Sequence, residues 1–334
     1  MNYRQLGRTG AMVSELCLGT MLFGGRTAEE EAHRIVDRAL DCGVNFIDTA
    51  NAYGRGVSES VLGRALKANG QRERIVLATK VFAPMDDRDP NMKGNHRRHI
   101  IEQCEASLRR LQTDWIDLYQ IHRPMPNIPI DETLRALDDL VKQGKVRYLG
   151  TSTFAAWQIM EALWVSKEYG LNRFVCEQPP YHLLDRRPER ELVPMAQTYG
   201  IALIPWSPLA GGSLTGKYRR GVEAPEGSRY SGQAGRGQEL ETEEFFAIID
   251  ALEEMAAEKG CTVSQLALAW CAQQPGITCP IIGPRTYEQL EDNLGAAEVQ
   301  VSDGDRQRLD IVAPPGRAVA PYYEADFGPH PYRW

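Results

Sequence analysis

Hydrophobic and polar positions follow two alternating spacings along this chain. Short, continuously apolar runs are each followed by a stretch in which apolar residues recur every three to four positions, the spacing of an amphipathic helix. The apolar runs predict buried strands near Leu16 and Asn45 and at 75–79, 115–121, 146–150, 174–176, 201–204 and 277–282. The helical stretches cover 28–41, 58–68, 98–111, 131–143, 155–167, 188–199, 243–259, 263–274 and 286–295.

The order of these elements indicates the fold class. Strands that alternate with helices predict a parallel sheet covered by helices, and about eight such units suit one closed (β/α)8 barrel. The doubly wound alternative usually carries Gly-x-Gly-x-x-Gly after its first strand, and this sequence does not. We therefore predict one α/β domain over residues 1–334, a TIM barrel with an N-terminal hairpin cap within residues 2–18.

Several segments exceed what a minimal barrel needs. Long loops on barrels are usually functional and lie at the C-terminal rim of the strands. We expect the tail, 315–334, to lie near that rim, and we interpret 219–240 as a lid that orders on binding. The other additions are the helix 243–259 and the loops 81–96, 123–130 and 207–240.

Composition narrows the classes of protein. The net charge of -7 and the lack of a Lys/Arg-rich block argue against a nucleic-acid or membrane partner. The seven cysteines are scattered without a Cys-x-x-Cys pair, as expected for reduced, buried thiols. We find neither a secretion signal nor a membrane-length apolar run, so we expect a cytoplasmic protein. The histidines are not spaced with Cys or Glu as metal ligands, so we predict no metal site.

Four polar residues at predicted strand ends form the main candidate site. Asp48 ends the apolar run that begins at Val44, and Tyr53 follows it by five positions. Lys80 and His122 end the next two predicted strands. Because the C-terminal ends of barrel strands meet at one rim, these four side chains should converge there.

This arrangement resembles the catalytic tetrad of the aldo-keto reductases. The first part of the resemblance is Gly43-Val-Asn-Phe-Ile-Asp48-Thr-Ala-Asn-Ala-Tyr53-Gly, then a strand ending in Lys80, then Asp117-Leu-Tyr-Gln-Ile-His122. It continues over nearly the whole chain in Gly150-Thr-Ser-Thr-Phe154, Gln178-Pro-Pro-Tyr181, Pro205-Trp-Ser-Pro-Leu209 and the segment from Ile282 to Asn293. The resemblance implies reduction of a carbonyl by a nicotinamide cofactor.

The residue types suit that chemistry. A developing alkoxide needs a proton donor, and an unperturbed tyrosine, with a pKa of about 10, is a reluctant one at neutral pH. A lysine ammonium beside the phenol favours its ionised form, so Tyr53 is the expected acid and Lys80 its activator. Asp48 would hold Lys80, and His122 would orient the substrate carbonyl. A buried structural ion pair is the alternative, but such pairs seldom recruit both a phenol and an imidazole.

The resemblance also implies NADPH as cofactor, because a guanidinium at Arg285 suits a 2′-phosphate. It places Ser152, Thr153 and Gln178 at the carboxamide, and Trp206 on the nicotinamide ring. Thr153 stands where the family usually has Asn, and Trp206 where Tyr or Phe is usual. The other implied cofactor-binding residues are Gly19, Thr20, Ser207, Leu209, Lys217, Gly283, Gln289 and Asn293, and the expected walls of the substrate pocket are Phe23, Phe82, Arg123 and Trp334.

We predict a reversible, NADPH-dependent reduction of an aldehyde or ketone, a small-molecule substrate. The alternative is a regulatory protein on the same barrel that senses its bound cofactor, as potassium-channel β-subunits do. The segment from Gly211 to Lys217 resembles a P-loop, but Tyr218 replaces the Mg²⁺-binding Ser or Thr, so we do not predict nucleotide hydrolysis.

Overall fold

In the computed structural model, the chain forms a closed parallel barrel. The structure describes residues 1–226, 228, 231 and 242–319. A two-stranded hairpin, β1 (Tyr3–Gln5) and β2 (Met12–Ser14), precedes an eight-stranded sheet. The sheet strands are β3 (Cys17–Gly19), β4 (Phe46–Asp48), β5 (Val76–Val81), β6 (Ile116–Ile121), β7 (Val146–Ser152), β8 (Phe174–Gln178), β9 (Ala202–Leu203) and β10 (Ile281–Ile282).

The sheet follows chain order from β3 to β9, with β10 beside β3, and all its pairs are parallel. Its two edges meet where the Thr278 amide donates to the Leu203 carbonyl at 2.8 Å and the Ile281 amide donates to the Pro205 carbonyl at 2.8 Å. This closure confirms the predicted (β/α)8 barrel. Strands such as β4 and β8 are buried along their whole length, because helices cover the outside and side chains fill the inside.

The hairpin closes the N-terminal end of the barrel, as predicted. Leu6 and Val13 are fully buried and pack against the inward side chains of Cys17, Phe46 and neighbouring strands. At Gly7 the backbone has φ 57°, and a Cβ there would lie 2.6 Å from the Val175 carbonyl oxygen, so this close approach requires glycine. The only wide opening expected of such a barrel is then at its C-terminal rim.

Helices surround the barrel, and several of them begin and end at signals in the sequence. For example, the Thr242 hydroxyl accepts the Phe245 amide at the start of its helix, and Gly260, at φ 65°, follows the end. The helices are α1 (Glu29–Asp41), α2 (Val57–Asn69), α3 (Arg97–Leu111), α4 (Ile130–Lys142), α5 (Ala156–Tyr169), α6 (Leu192–Tyr199), α7 (Glu243–Lys259), α8 (Val263–Ala272), α9 (Tyr287–Leu294) and α10 (Asp303–Val312).

Two helical segments differ from the sequence prediction. α6 begins at Leu192 rather than near 188, because Glu191, at φ -136°, separates it from a short 3₁₀ turn. α10 was not predicted; it packs against α7, where Arg308 pairs with Glu258 at 2.6 Å. Its sequence signal is a capping box, in which the Ser302 hydroxyl accepts the Asp305 amide at 3.1 Å.

The described start of the tail lies beside the loop that follows β8. The Val319 amide donates to the Leu184 carbonyl at 2.8 Å, and the Gly316 amide donates to the Glu189 carboxylate at 3.1 Å. Residues 320–334 and most of the predicted lid, 219–240, lie outside the described residues. Among the helices that the structure does describe, none is both long enough and apolar enough to span a bilayer.

Gly63 offers a test of the helix packing around the barrel. A Cβ at Gly63 in α2 would lie 2.4 Å from the Arg110 carbonyl oxygen of α3. We expect Gly63→Ala to lower the free energy of unfolding by about 1–3 kcal/mol through overpacking, measured by urea denaturation. The matched control is Gly304→Ala in α10, where a Cβ meets nothing closer than the Ser302 hydroxyl at 3.7 Å. Equal stability of the two variants would contradict this packing.

Candidate active site

The structure brings Asp48, Tyr53, Lys80 and His122 together at the C-terminal ends of β4, β5 and β6. Lys80 is fully buried, and its ammonium forms an ion pair with Asp48. The same ammonium donates to the Thr49 carbonyl at 2.9 Å and to the Tyr53 hydroxyl at 3.1 Å. The His122 and Tyr53 rings lie edge to face with centroids 5.9 Å apart. The lysine thus connects the carboxylate to the phenol.

The second carboxylate oxygen of Asp48 is held by two buried amides. Gln120 donates to it at 2.9 Å and Gln178 at 3.0 Å, while the Gln178 amide also lies 3.2 Å from the Gln120 carbonyl oxygen. Gln178 therefore orients Asp48, in addition to any contact with a cofactor. Gln120 was missed as a site residue; its signal was a polar side chain in a buried strand, two positions before His122 and on the same face.

The charges of the site follow from its burial. Burial alone would lower the pKa of Lys80, but the Asp48 carboxylate and the Tyr53 phenol raise it, and the net shift is upward. Lys80 is therefore an ammonium at neutral pH. Burial lowers the pKa of His122 well below its usual value, and the positive charges of Lys80 and Arg123 lower it further. His122 is then a neutral imidazole, which can donate one N–H.

A cleft of about 740 Å³ runs from this cluster across the barrel rim. Asp48, Tyr53 and His122 lie at one end, and Arg285 lies in its wall beyond β10, while Lys80 lies behind Asp48 and Tyr53. Twelve of the thirteen predicted cofactor residues line the cleft: Gly19, Thr20, Ser152, Gln178, Trp206, Ser207, Leu209, Lys217, Gly283, Arg285, Gln289 and Asn293. Thr153 does not, because the chain turns away there at φ 63° and the Thr153 amide donates to the Gln178 carbonyl.

The substrate-pocket prediction needs correction at two positions. Phe23 is 2% exposed and packs in the core against α1 and α2, so it does not reach the cleft. Phe82 is half-buried and does not line the cleft either; its carbonyl accepts the Gly94 amide at 2.6 Å. Arg123 does line the cleft, where it donates to the Ser152 hydroxyl at 3.3 Å and lies 5.9 Å from the Trp206 ring. Trp334 lies outside the described residues.

The cleft also contains a cation that sequence reasoning missed, Arg26. It follows two glycines in the turn after β3, and the Thr27 hydroxyl donates to the Arg285 carbonyl at 2.9 Å. Two cationic side chains are therefore carried by segments that are bonded to each other. The signal was a basic residue in a Gly-Gly turn directly beyond a strand end, where barrels bind their ligands.

Across the cleft, the loop after β9 forms a series of left-handed turns. Ser207, Ala210, Gly211 and Gly212 have φ of 53°, 48°, 66° and 101°. Successive turns of this kind direct backbone amides toward one side, a geometry that suits anions. With the Lys217 side chain on the same wall, this loop can hold a phosphate.

Comparison with known proteins agrees with this geometry. The model of the aldo/keto reductase family matches residues 15–314. The chain belongs to the aldo/keto reductase family. It is 42% identical over 324 residues to a protein of Bacillus subtilis (strain 168) named "Uncharacterized oxidoreductase YrpG", covering 94% of this chain and 96% of that protein. It is also 38% identical over 307 residues to "Probable voltage-gated potassium channel subunit beta" of Oryza sativa subsp. japonica, covering 90% and 92%.

As an aldo/keto reductase, the protein is an oxidoreductase of a family that typically binds NAD(P)H. Its cleft fits such a dinucleotide by size, by the cationic residues Arg26, Lys217 and Arg285, and by the amide-rich loop after β9. The described residues thus place a phenol and an imidazole at one end of the cleft and cationic side chains along its wall.

The ion pair at the centre of the site can be tested by its energetics. Asp48→Asn leaves the Lys80 ammonium buried without a counter-ion, so we expect the free energy of unfolding to fall by about 3–5 kcal/mol. In the double variant Asp48→Asn/Lys80→Met no charge remains buried, and most of that loss should be recovered. Urea denaturation of the parent, both single variants and the double variant measures this. Additive losses in the double variant would contradict direct coupling of the two groups.

Proposed function

We propose that this aldo/keto reductase reduces an aldehyde or ketone to the alcohol with NADPH, and that Tyr53 supplies the proton. The observation that carries the proposal is the Tyr53 hydroxyl on the cleft wall, 3.1 Å from the buried Lys80 ammonium. An adjacent cation stabilises the phenolate that remains after proton transfer, so Lys80 is placed to assist that step.

Bound NADPH would supply the hydride to the carbonyl carbon, while the chain's own residues manage the oxygen. Tyr53 donates its hydroxyl proton to that oxygen as negative charge develops there. The neutral His122 imidazole donates a hydrogen bond that orients the carbonyl toward Tyr53. Asp48, fixed by Gln120 and Gln178, holds Lys80 charged and within reach of the phenol. Hydride and proton together convert C=O to CH–OH, and the reverse path oxidises the alcohol.

The preference for NADPH over NADH rests on the distal part of the cleft. Arg285 lies on the wall together with Gln289 and Asn293, and the Arg285 backbone amide donates to the Gln289 side-chain oxygen at 2.8 Å. A guanidinium pairs well with a phosphate, and only NADPH carries a 2′-phosphate on its adenosine ribose. We also propose a cytoplasmic location, because thiols stay reduced in that compartment and all seven cysteines are free.

A second candidate function is a cofactor-binding regulatory subunit. The similarity to the rice protein named as a probable potassium channel subunit favours it. Such a subunit would hold the cofactor in the same cleft, so the arrangement of Asp48, Tyr53 and Lys80 does not separate the two functions. Catalytic turnover of NADPH with a carbonyl substrate distinguishes the enzyme from the regulatory subunit.

We expect the purified protein to consume NADPH in the presence of a reactive aromatic aldehyde, and Tyr53→Phe to lower that rate by about 10²–10⁴-fold because the proton donor is lost. Absorbance of NADPH measures the rate, and the control is Tyr3→Phe, whose hydroxyl bonds to the Gly43 carbonyl at the opposite end of the barrel. A parent that binds NADPH without turnover would favour the regulatory function. Equal rates for the parent and Tyr53→Phe would exclude Tyr53 as the acid.

Arg285→Ala tests the cofactor preference. Because a hydrogen bond to a charged group contributes about 1.5–3 kcal/mol, the Kd for NADPH should rise by about 10- to 100-fold. The Kd for NADH, which lacks the 2′-phosphate, should stay within about twofold, and fluorescence titration measures both. Equal weakening of the two cofactors would show that Arg285 does not distinguish them.

A further inference from the structure

Glu177 is a buried carboxyl group close to the cleft, but not part of its wall. It is fully inaccessible to solvent and lies on β8, directly before Gln178. None of the proposed catalytic steps uses it. Burying a carboxyl group this completely costs free energy of folding unless its oxygens are hydrogen-bonded. Its hydrogen-bond partners therefore indicate which part of the structure it stabilises.

The hydrogen-bond partners of the Glu177 carboxyl group belong to the end of β7 and the turn that follows. One carboxyl oxygen accepts the Phe154 amide at 3.1 Å, and the Thr153 amide is a further backbone donor to the group. The Thr151 hydroxyl bonds to the other oxygen at 2.5 Å. Glu177 thus contacts Thr151, Thr153 and Phe154, on both sides of Ser152.

The backbone of this turn is strained at Thr153, so other contacts must stabilise its conformation. Thr153 has φ 63°, a left-handed conformation that is unusual for a β-branched residue and costs about 1–2 kcal/mol. Directly before it, Ser152 lies on the cleft wall and its hydroxyl donates to the Gln178 carbonyl at 3.0 Å. Any relaxation at Thr153 therefore moves Ser152, which lies beside the catalytic end of the cleft.

The carboxyl group is suited to this task in its neutral form. Burial raises the pKa of Glu177 to about 8, against the opposing effects of the Thr151, Phe154 and Thr153 hydrogen bonds and of the Arg123 charge. Near pH 7 most molecules then carry a protonated Glu177, in which one oxygen accepts the backbone amides and the O–H can donate to Thr151. A glutamine side chain can make the same set of bonds.

We propose that Glu177 is a positioning residue, which holds the Ser152–Phe154 turn and thereby shapes the nicotinamide end of the cleft. The inference rests on the proposed function, because it assumes that the nicotinamide lies beside Tyr53 and Ser152. With the neighbouring Gln178, which holds Asp48, the end of β8 then organises both the cofactor-facing turn and the catalytic cluster.

The test compares two ligands that occupy different lengths of the cleft. NADPH reaches both ends, whereas adenosine 2′,5′-bisphosphate carries the 2′-phosphate but no nicotinamide. We expect Glu177→Leu to raise the Kd for NADPH by about tenfold and to leave the Kd for the bisphosphate within about twofold. Glu177→Gln should bind NADPH within about threefold of the parent, because it restores the acceptor for the turn amides. Isothermal titration calorimetry measures all of these.

Asp138→Leu is the matched control. Asp138 is another buried carboxylate that holds a turn, since it accepts the Asn172 backbone and side-chain amides, each at 2.8 Å. That turn precedes β8 and lies at the opposite end of the barrel. Asp138→Leu should lower stability but keep the ratio of the two Kd values unchanged, so it separates general destabilisation from a local effect.

The outcomes separate this inference from the proposed function. Failure of the parent to bind NADPH overturns the proposed function and this inference with it. If the parent binds NADPH, then unchanged affinity in Glu177→Leu, or equal weakening for both ligands, overturns the inference alone. Should Glu177→Leu not fold, Glu177→Asp is measured instead; its carboxyl group is one methylene short of the turn, so the same selective loss for NADPH supports the inference and an unchanged ratio overturns it.

Discussion

The buried ion pair between Lys80 and Asp48 is the interaction on which the rest of the site depends. Removing both charges from water costs several kcal/mol for each ion, and the pair is tolerated only when the remaining donors and acceptors are also bonded. Here the lysine ammonium also donates to Thr49 and Tyr53, and the carboxylate also accepts from Gln120 and Gln178. Because the buried ammonium needs all of its donors bonded, its hydrogen bond to Tyr53 fixes the position of the phenol.

The barrel explains why such a cluster can exist. Parallel strands place Asp48, Lys80 and His122 side by side on three neighbouring strand ends, although more than seventy positions separate the first from the last. The N-terminal hairpin closes the other end, and apolar side chains fill the inside of the barrel below the ion pair. Low water access strengthens the electrostatic coupling between Lys80 and the tyrosine.

Hydrogen bonds between neighbouring loops stabilise the rest of the cleft wall. Thr27 joins the turn that carries Arg26 to the segment that carries Arg285, and Glu177 joins β8 to the turn after β7. The ligand-facing side chains therefore stand on backbone that is itself bonded across strands. This support is what a binding site needs in order to keep its geometry before the ligand arrives.

The sequence by itself determined the alternation of strands and helices, hence the barrel, and the identity of four polar residues that meet at one end of the cleft, because periodicity and strand ends are local properties. It did not reveal which side chains of the connecting loops face the cleft. The Phe23 side chain packs in the core and Arg26 lines the cleft, although both residues lie in one short turn. It also left Gln120 and Glu177 without a role, because a buried polar residue acquires one only from the partners that distant strands bring to it. Only the tertiary structure decided these points, since they depend on contacts between segments that are far apart along the chain.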